Sequence, residues 1–425
     1  MPILFLFCTF ANMKGKAKKI LIVITILLSS TNVLGQLSYI FNDNHHIDSN
    51  DIKKMYLEIN AVNFFKNNEF KGEKVKGYAL PGFRLSTNIS LAMSKKIRME
   101  MGINFLRYWG SEAYPCYSYF SISEWESERY NKGLHFIPIM RGQFAITDSF
   151  HIIIGTLYNH NNHFLCRPLY NNELNYTADP ENGVQIIYSN KYYTSDIWLN
   201  WQSFIFKNDI HQELFTFGYT STTNILRNSD GLNLSIPLQF LAQHRGGEIN
   251  NSEKREVQTA SNYAIGLNTL YNFNFKYLKH ISLSCNYVGF IQNTGTLYPF
   301  NNGWGVYSEL SAKIQDFKIS TSYWISEDFI TMLGSPHFGN QSQSKPKMTF
   351  DKMDMFMIDL EYCYHKNRYF SFGLEGNYIH YFPYTGTTTD NWPMERGSAD
   401  SFAFGLFLKI NPRIKILNVA TRIDN

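Results

Sequence analysis

Apolar or small side chains occupy every second position from Phe83 to Met93, and apolar ones do so again from Met99 to Phe105. A period of two residues predicts β-strands rather than helices. Each run is about ten residues long, whereas a globular strand has about five or six. About ten residues are enough for a tilted strand to cross a bilayer. The polar break Ser94-Lys95-Lys96 predicts a tight turn, so the two runs form a hairpin with one apolar face.

The same alternation recurs to the end of the chain, for example over residues 232–240 and 402–410. A soluble sandwich could explain one such hairpin, but not this repetition. The connections are alternately short, as at 94–96, and long, as at 110–133. This pattern predicts an all-β fold: a transmembrane antiparallel β-barrel of about 16 strands (range about 14 to 18) with its long loops outside the cell.

Composition agrees with a barrel that is apolar outside and polar inside. Aromatic residues make up 16% of the 425 residues and charged residues only 17%, below the usual quarter. The formal net charge of +4 is too small to indicate nucleic acid. We therefore expect outer-membrane lipid and lipopolysaccharide as surroundings, and no nucleic-acid partner.

The N-terminus has the features of a secretory signal peptide over residues 1–35. Four lysines precede an apolar core at 20–28, which is too short to serve as a membrane anchor. Met13 is the expected true start, and a longer native leader stays open as the alternative. We expect signal-dependent export to a Gram-negative outer membrane. The remainder divides into a periplasmic segment (36–53), the barrel (54–411) without a separate soluble domain or N-terminal plug, and a C-terminal tail (412–425).

Charged residues fall on the predicted inner face and separate by sign along the chain. Two interpretations stay open. The charges could set up a transverse field that orients polar solutes, as in porins, or they could pair locally and fill the lumen. The basic wall comprises Arg84, Arg98 and Arg141, and the acidic wall comprises Glu309, Asp359, Glu361 and Glu375.

Two inward tryptophans lie near polar side chains on their own strands. Trp198 lies between Asp196 and Asn200, and Trp324 precedes Asp328. An aromatic ring beside such groups could stack a sugar and hydrogen-bond its hydroxyls. The alternative is that both rings fill the lumen or belong to the interfacial girdle.

One long loop contains His160, His163 and Cys166 at a ligand-like spacing. A structural zinc site needs four ligands, and no fourth lies nearby. We therefore favour a polar surface loop and expect no metal and no cofactor. A disulfide between Cys116 and Cys166 stays open, because both fall in long loops.

No catalytic motif stands out in the sequence. There is no Gly-x-Ser-x-Gly nucleophile elbow, no glycine-rich phosphate loop, and no match to the His/Ser motif of outer-membrane phospholipases. The sequence therefore predicts that the protein is not an enzyme.

Five stretches resemble a group of Bacteroidota outer-membrane barrels of porin-like type. The resemblance implies a barrel, a signal peptide and an outer-membrane location, and it carries over no functional residue. The stretches are FHIIIGTLYNHNNHFLCRPLYNNE (150–173), DIWLNW (196–201), QELFTFG (212–218), PLQFLAQHRGG (237–247) and SYWISEDFI (322–330).

These observations favour a porin-like channel for passive diffusion of small polar solutes. The alternative is a surface glycan-binding, partner-binding or assembly barrel with a filled lumen. A lipid- or glycan-modifying enzyme is the least favoured hypothesis. Expected partners are the barrel-insertion machinery and a small polar solute, and a homo-oligomer stays open.

Overall fold

The computed structural model describes residues 45–71, 73–109, 133–159, 162–204, 212–246, 256–343, 345, 347–367 and 369–419. The predicted signal peptide, Cys116 and His160 lie outside these residues.

Sixteen antiparallel strands close into a barrel, which confirms the predicted fold class. Each strand pairs with the next one in the chain, and the last pairs with the first through Phe64 and Phe407. The barrel strands are β1 (Lys54–Glu69), β2 (Tyr78–Ala92), β3 (Ile97–Tyr108), β4 (His135–Thr147), β5 (Phe150–Thr156), β6 (Asn182–Ser189), β7 (Tyr193–Ser203), β8 (Glu213–Leu226), β9 (Leu232–Gly246), β10 (Gln258–Asn272), β11 (Leu278–Thr294), β12 (Asn302–Ile314), β13 (Phe317–Glu327), β15 (Lys352–Asn367), β16 (Phe370–Tyr381) and β19 (Ala399–Ile410).

Side chains alternate between the two faces as the sequence pattern predicts. On β3, Met101 on the outer face is 60% exposed, whereas its neighbour Glu100 is 2% exposed and faces the lumen. The apolar outer face is stable in a membrane, because its side chains contact hydrocarbon instead of water. Over the described residues, no helix is both long and apolar enough to cross a membrane.

The chain continues as a strand beyond the predicted end of the barrel. β20 (Arg413–Asn418) pairs with the first residues of β1, on the same edge that β19 uses further along. Arg413 fixes this strand, donating to Asp51 at 2.6 Å and to Glu58 at 2.9 Å. The expected tail (412–425) therefore contains a strand that prolongs β19 past the break at Pro412.

Two long connections fold into the barrel. We call residues 157–159 and 162–181 the lumen loop, which carries the helix α1 (Leu174–Thr177), and residues 328–343 the cap loop. The two loops bond to each other, with Asn171 N donating to Leu333 O at 2.8 Å. Leu169 and Phe338 belong to one buried cluster with inward side chains of the barrel. Protein core therefore occupies much of the lumen.

A small sheet covers one side of the end where the long loops lie, which we call the loop end. It consists of β14 (Thr349–Phe350), β17 (Tyr384–Thr387) and β18 (Pro393–Arg396). The tight turns lie at the opposite end. The rule for outer-membrane barrels predicts that the loop end is extracellular.

Candidate functional site

The predicted basic wall points into the lumen, but its charges are engaged. Arg98 and Arg141 both contact the buried carboxylate of Glu100, at 2.9 and 2.7 Å. Arg98 also lies 3.2 Å from Glu58. Arg84 donates to the backbone oxygen of Asn175 on the lumen loop at 2.8 Å.

The four residues of the predicted acidic wall also face inward, and each lies within 4 Å of a cation. Asp359 contacts Arg167 of the lumen loop at 2.5 Å, and Glu375 contacts Lys66 at 2.9 Å. Lys318 lies between the other two acids, 3.6 Å from Glu309 and 3.8 Å from Glu361. Among the described side chains, these four acids therefore pair locally with Lys66, Arg167 and Lys318 around a cavity of about 560 Å³.

The predicted stacking residues contact protein groups. Trp198 stacks on the His163 imidazole, with ring centroids 3.9 Å apart, and Asn200 accepts from Asn182 N at 3.1 Å. Trp324 is fully buried between Phe329 and Phe338 of the cap loop. Asp328 has a left-handed backbone conformation (φ 53°) where the cap loop leaves β13.

His163 is a buried anchor of the lumen loop, which corrects the expectation of a polar surface loop. Its side chain has no exposure. The Nδ1 atom lies 2.7 Å from Asp196, and the Nε2 atom lies 2.5 Å from Glu181. Burial alone would lower the pKa of His163, but the charges and hydrogen bonds of these two acids outweigh it and raise the pKa to about 10. His163 is therefore a fixed cation and unsuited to act as a general base at neutral pH.

Cys166 lies nearby on the same loop and is free. Burial raises the pKa of its thiol to about 12, so the thiol stays protonated. Over the described part of the chain, no group of three or more His, Cys, Asp and Glu side chains is placed to hold a metal ion.

The anchoring of His163 predicts that the barrel is less stable at high pH. A histidine with a pKa of about 10 in the folded state and about 6.5 when unfolded stabilises the fold fully below about pH 6.5. That contribution falls as the pH rises towards 10. We expect the urea midpoint of unfolding to decrease between pH 7 and 10, and to decrease less in His163→Gln. An equal decrease in both proteins would contradict this role.

A second histidine–aspartate pair lies on the outer wall at the loop end. His380 of β16 and Asp400 of β19 are register partners. The Nδ1 atom of His380 lies 2.8 Å from Asp400 Oδ1, and the Tyr378 hydroxyl donates to the same oxygen at 2.7 Å. The adjacent side chains Ile379 and Ser401 are buried in the lumen, so alternation turns His380 and Asp400 towards the membrane side.

The dyad, as we call His380 and Asp400, remains accessible. The His380 side chain is 29% exposed and that of Asp400 48%. Within the described ranges, no hydrogen bond engages His380 Nε2. An imidazole whose Nδ1 is held by a carboxylate presents a basic Nε2 atom. This geometry suits proton abstraction from a water molecule.

Below the dyad, the outer wall contains a depression of about 340 Å³, which we call the Gly376 notch. A side chain built on Gly376 would meet no atom within 4 Å. The notch lies between β15 and β19, and its apolar lining includes Ile358, Leu360, Tyr378, Phe402 and Phe404. Asn67 and Glu69 of β1, the register partners of Phe404 and Phe402, form a polar edge beyond β19. Phe404 and Phe402 are each 51% exposed, so the part of the notch next to Gly376 is apolar and opens to lipid.

The fold and family together define an outer-membrane β-barrel protein. Residues 47–419 match the family model described as Lipid A 3'-O-deacylase-type, and the chain belongs to that family. This membership overturns the expectation that the protein is not an enzyme, because the family is defined by an enzymatic activity.

Solved structures of outer-membrane proteins resemble the barrel only distantly. OprD from Pseudomonas aeruginosa is 9% identical with a TM-score of 0.44, and the match covers 88% of this chain and 97% of that one. OccAB2 from Acinetobacter baumannii is 9% identical with a TM-score of 0.47, and the match covers 86% of this chain and 100% of that one. The anion-selective porin from Comamonas acidovorans is 8% identical with a TM-score of 0.42, and the match covers 84% of this chain and 98% of that one. Scores this low carry no argument about function. A search of curated proteins found no match.

Proposed function

We propose that this protein is an outer-membrane esterase that removes an ester-linked acyl chain from lipid A or a closely related glycolipid. The observation that carries the proposal is the His380–Asp400 dyad on the lipid-facing wall at the loop end. The expected extracellular orientation of the loop end would bring the dyad near the sugar head groups of the outer leaflet. The family match supports the reaction class.

The dyad has the parts needed for general base catalysis. His380 Nε2 takes a proton from water, and the water oxygen forms a bond to the acyl carbonyl carbon. Asp400 holds the ring through Nδ1 and stabilises the imidazolium. The bond from the carbonyl carbon to the sugar oxygen then breaks, and His380 returns the proton to that oxygen. The products are a free fatty acid and a sugar hydroxyl.

Water is the nucleophile that the local structure favours. The nearest serine in sequence, Ser401, points into the lumen and is fully buried. Its oxygen accepts from Lys71 N at 3.1 Å. The exposed Lys71 side chain is close enough to act on the charge of Asp400. Its ammonium can attract the anionic head group of lipid A.

Incubation of the purified barrel with lipid A in mixed micelles tests the proposal. Mass spectrometry should show a lipid product that is lighter by one acyl group, together with the free fatty acid. Unchanged lipid A under conditions where the barrel is folded, as judged by heat-dependent gel migration, would refute the proposed function.

A passive channel for small polar solutes is the second candidate. The charged cavity in the lumen favours it, whereas the lumen loop and the cap loop oppose it. A glycan-binding or assembly barrel requires a filled lumen, and the packed loops agree with that alternative as well.

Conductance in a planar bilayer separates these functions. Because Arg167 on the lumen loop bonds to Asp359 on the far wall, we expect no stable ohmic steps of porin size from the wild-type protein. A variant with Arg167→Ala should conduct more often if the loop loosens. Large, stable steps from the wild type would favour the channel.

Location details and partners remain predictions. Signal-dependent export, lipopolysaccharide as the surrounding lipid, recognition by the barrel-insertion machinery and a Bacteroidota origin all follow from the sequence features above. They are consistent with a substrate in the outer leaflet.

A further inference from the structure

We propose that the Gly376 notch is an acyl-chain subsite that selects substrates by chain length, an inference that rests on the proposed function. Side chains of the outer wall line the notch, so a lipid chain in it would be guided along the strand direction. It lies on the same strand as His380, four residues closer to the membrane centre. Four residues of a strand correspond to about 13 Å.

The floor and walls of the notch are formed by neighbouring outward side chains. In the register of the sheet, Gly376 lies between Leu360 of β15 and Phe404 of β19. One step closer to the loop end, Tyr378 lies between Ile358 and Phe402. The next outward residue towards the turn end is Leu374, which is 44% exposed. A chain that enters below His380 would therefore run along Tyr378 and end against Leu374.

Glycine creates this space because the other outward positions nearby carry bulky side chains. A leucine at position 376 would fill the notch without meeting another atom within 4 Å of its Cβ, so the backbone and the strand pairing can remain. The dyad would also remain, since its atoms belong to different residues. Filling the notch should therefore affect the binding of the chain and leave the chemical step unchanged.

The occupant is the acyl chain of the same lipid whose ester reaches the dyad. Bulk membrane lipid also contacts this wall, but only a substrate chain is tied to a head group held near His380 and Lys71. The apolar lining offers dispersion contacts along the chain, which grow with each methylene. Longer chains should thus gain affinity until they reach Leu374.

Gly376→Leu tests the proposal on p-nitrophenyl esters of butyric and myristic acid in mixed micelles. The matched control is Gly142→Leu, because Gly142 also faces outward and has no neighbour closer than 3.5 Å to its Cβ position. We expect Gly376→Leu to lower the rate on the myristoyl ester by about tenfold or more. The rate on the butyryl ester should stay nearly unchanged, and Gly142→Leu should change neither rate. Equal effects on both esters, or none, would overturn the subsite.

A binding measurement separates this proposal from the proposed function. In a His380→Gln background, native mass spectrometry counts lipid A bound to the barrel without requiring turnover. Gly376→Leu should reduce the bound fraction, and Gly142→Leu should not. If the wild type hydrolyses nothing but the notch still binds lipid A, the esterase fails and the subsite stands. If the wild type is active and the bound fraction ignores Gly376, the subsite fails and the esterase stands.

Discussion

Replacing His380 by glutamine should lower the rate of lipid A deacylation by a factor of about 10² to 10⁴, the usual contribution of a positioned general base. Glutamine can keep a hydrogen bond to Asp400, but it cannot accept the proton from water. The release of fatty acid, measured by mass spectrometry over time, gives the rate. Because the side chain is exposed at the rim, the barrel should fold as before.

Substitutions of Asp400 and Tyr378 should lower the deacylation rate by successively smaller factors. Asp400→Asn removes the charge that stabilises the imidazolium and should come next in severity. Tyr378→Phe removes one hydrogen bond to Asp400 and should have a smaller effect.

The structure offers a matched control for these variants. His135 also bonds to an aspartate, since its Nδ1 atom lies 2.9 Å from Asp179 Oδ1, but it lies on the lumen side of the loop end. His135→Gln should leave deacylation intact. Activity that survives His380→Gln but not His135→Gln would place the chemistry inside the barrel and reject the outer dyad.

Replacing His163 by glutamine should destabilise the protein by about 3–5 kcal/mol, as expected when one partner is removed from a buried ion pair. Asp196 is 1% exposed and Glu181 13%, so neither acid can regain full hydration. Urea unfolding in lipid vesicles, followed by tryptophan fluorescence, measures the free energy. The tryptophan fluorescence of the folded variant should also differ from that of the wild type, because Trp198 loses the imidazole ring stacked on it.

A compensating substitution identifies the cause. Asp196→Asn in the His163→Gln background removes one of the stranded charges and should recover part of the lost free energy. If the double variant is less stable than the wild type by the sum of the losses in the two single variants, the cost comes from packing and not from charge.

Much of the barrel could be predicted because its rules are local. Alternation fixes which face a residue takes, so Arg141 and Glu375 were placed inward from the sequence alone. The sequence pattern does not predict β20, because Pro412 interrupts the alternation and residues 413–418 read as an irregular tail. β20 pairs with β1 at the other end of the chain, and this contact forms only when the barrel closes.

The lumen loop was misjudged for a different reason. Its asparagines and histidines resemble a solvated surface, yet Leu165, Leu169 and Leu174 are buried in the main apolar cluster. Those leucines were the available signal. A polar residue such as His163 can be buried in the lumen because it pairs with Asp196 on β7 and with Glu181 at the end of the same loop. These partners lie 33 and 18 residues further along the chain, beyond the reach of a local pattern.

The dyad was missed because register cannot be read from alternation. His380 and Asp400 lie on strands separated by the small sheet at the loop end, and only the register of β16 against β19 makes them neighbours. A Gly-x-Ser-x-Gly pattern would not mark the proposed site, in which water is the nucleophile. The outward polar residues just beyond Tyr378 and Phe402 were the signal available in the sequence.

On the proposed function, an active surface on the outer wall would change how the protein meets its substrate. The lipid would reach the dyad by lateral diffusion within the leaflet, so the encounter rate would depend on surface density and leaflet fluidity and not on concentration in the medium. No gate has to open and no loop has to leave the lumen. Any neighbouring protein that packs against β15, β16 and β19 competes directly with the substrate. Crowding in the plane of the membrane would therefore slow the proposed reaction.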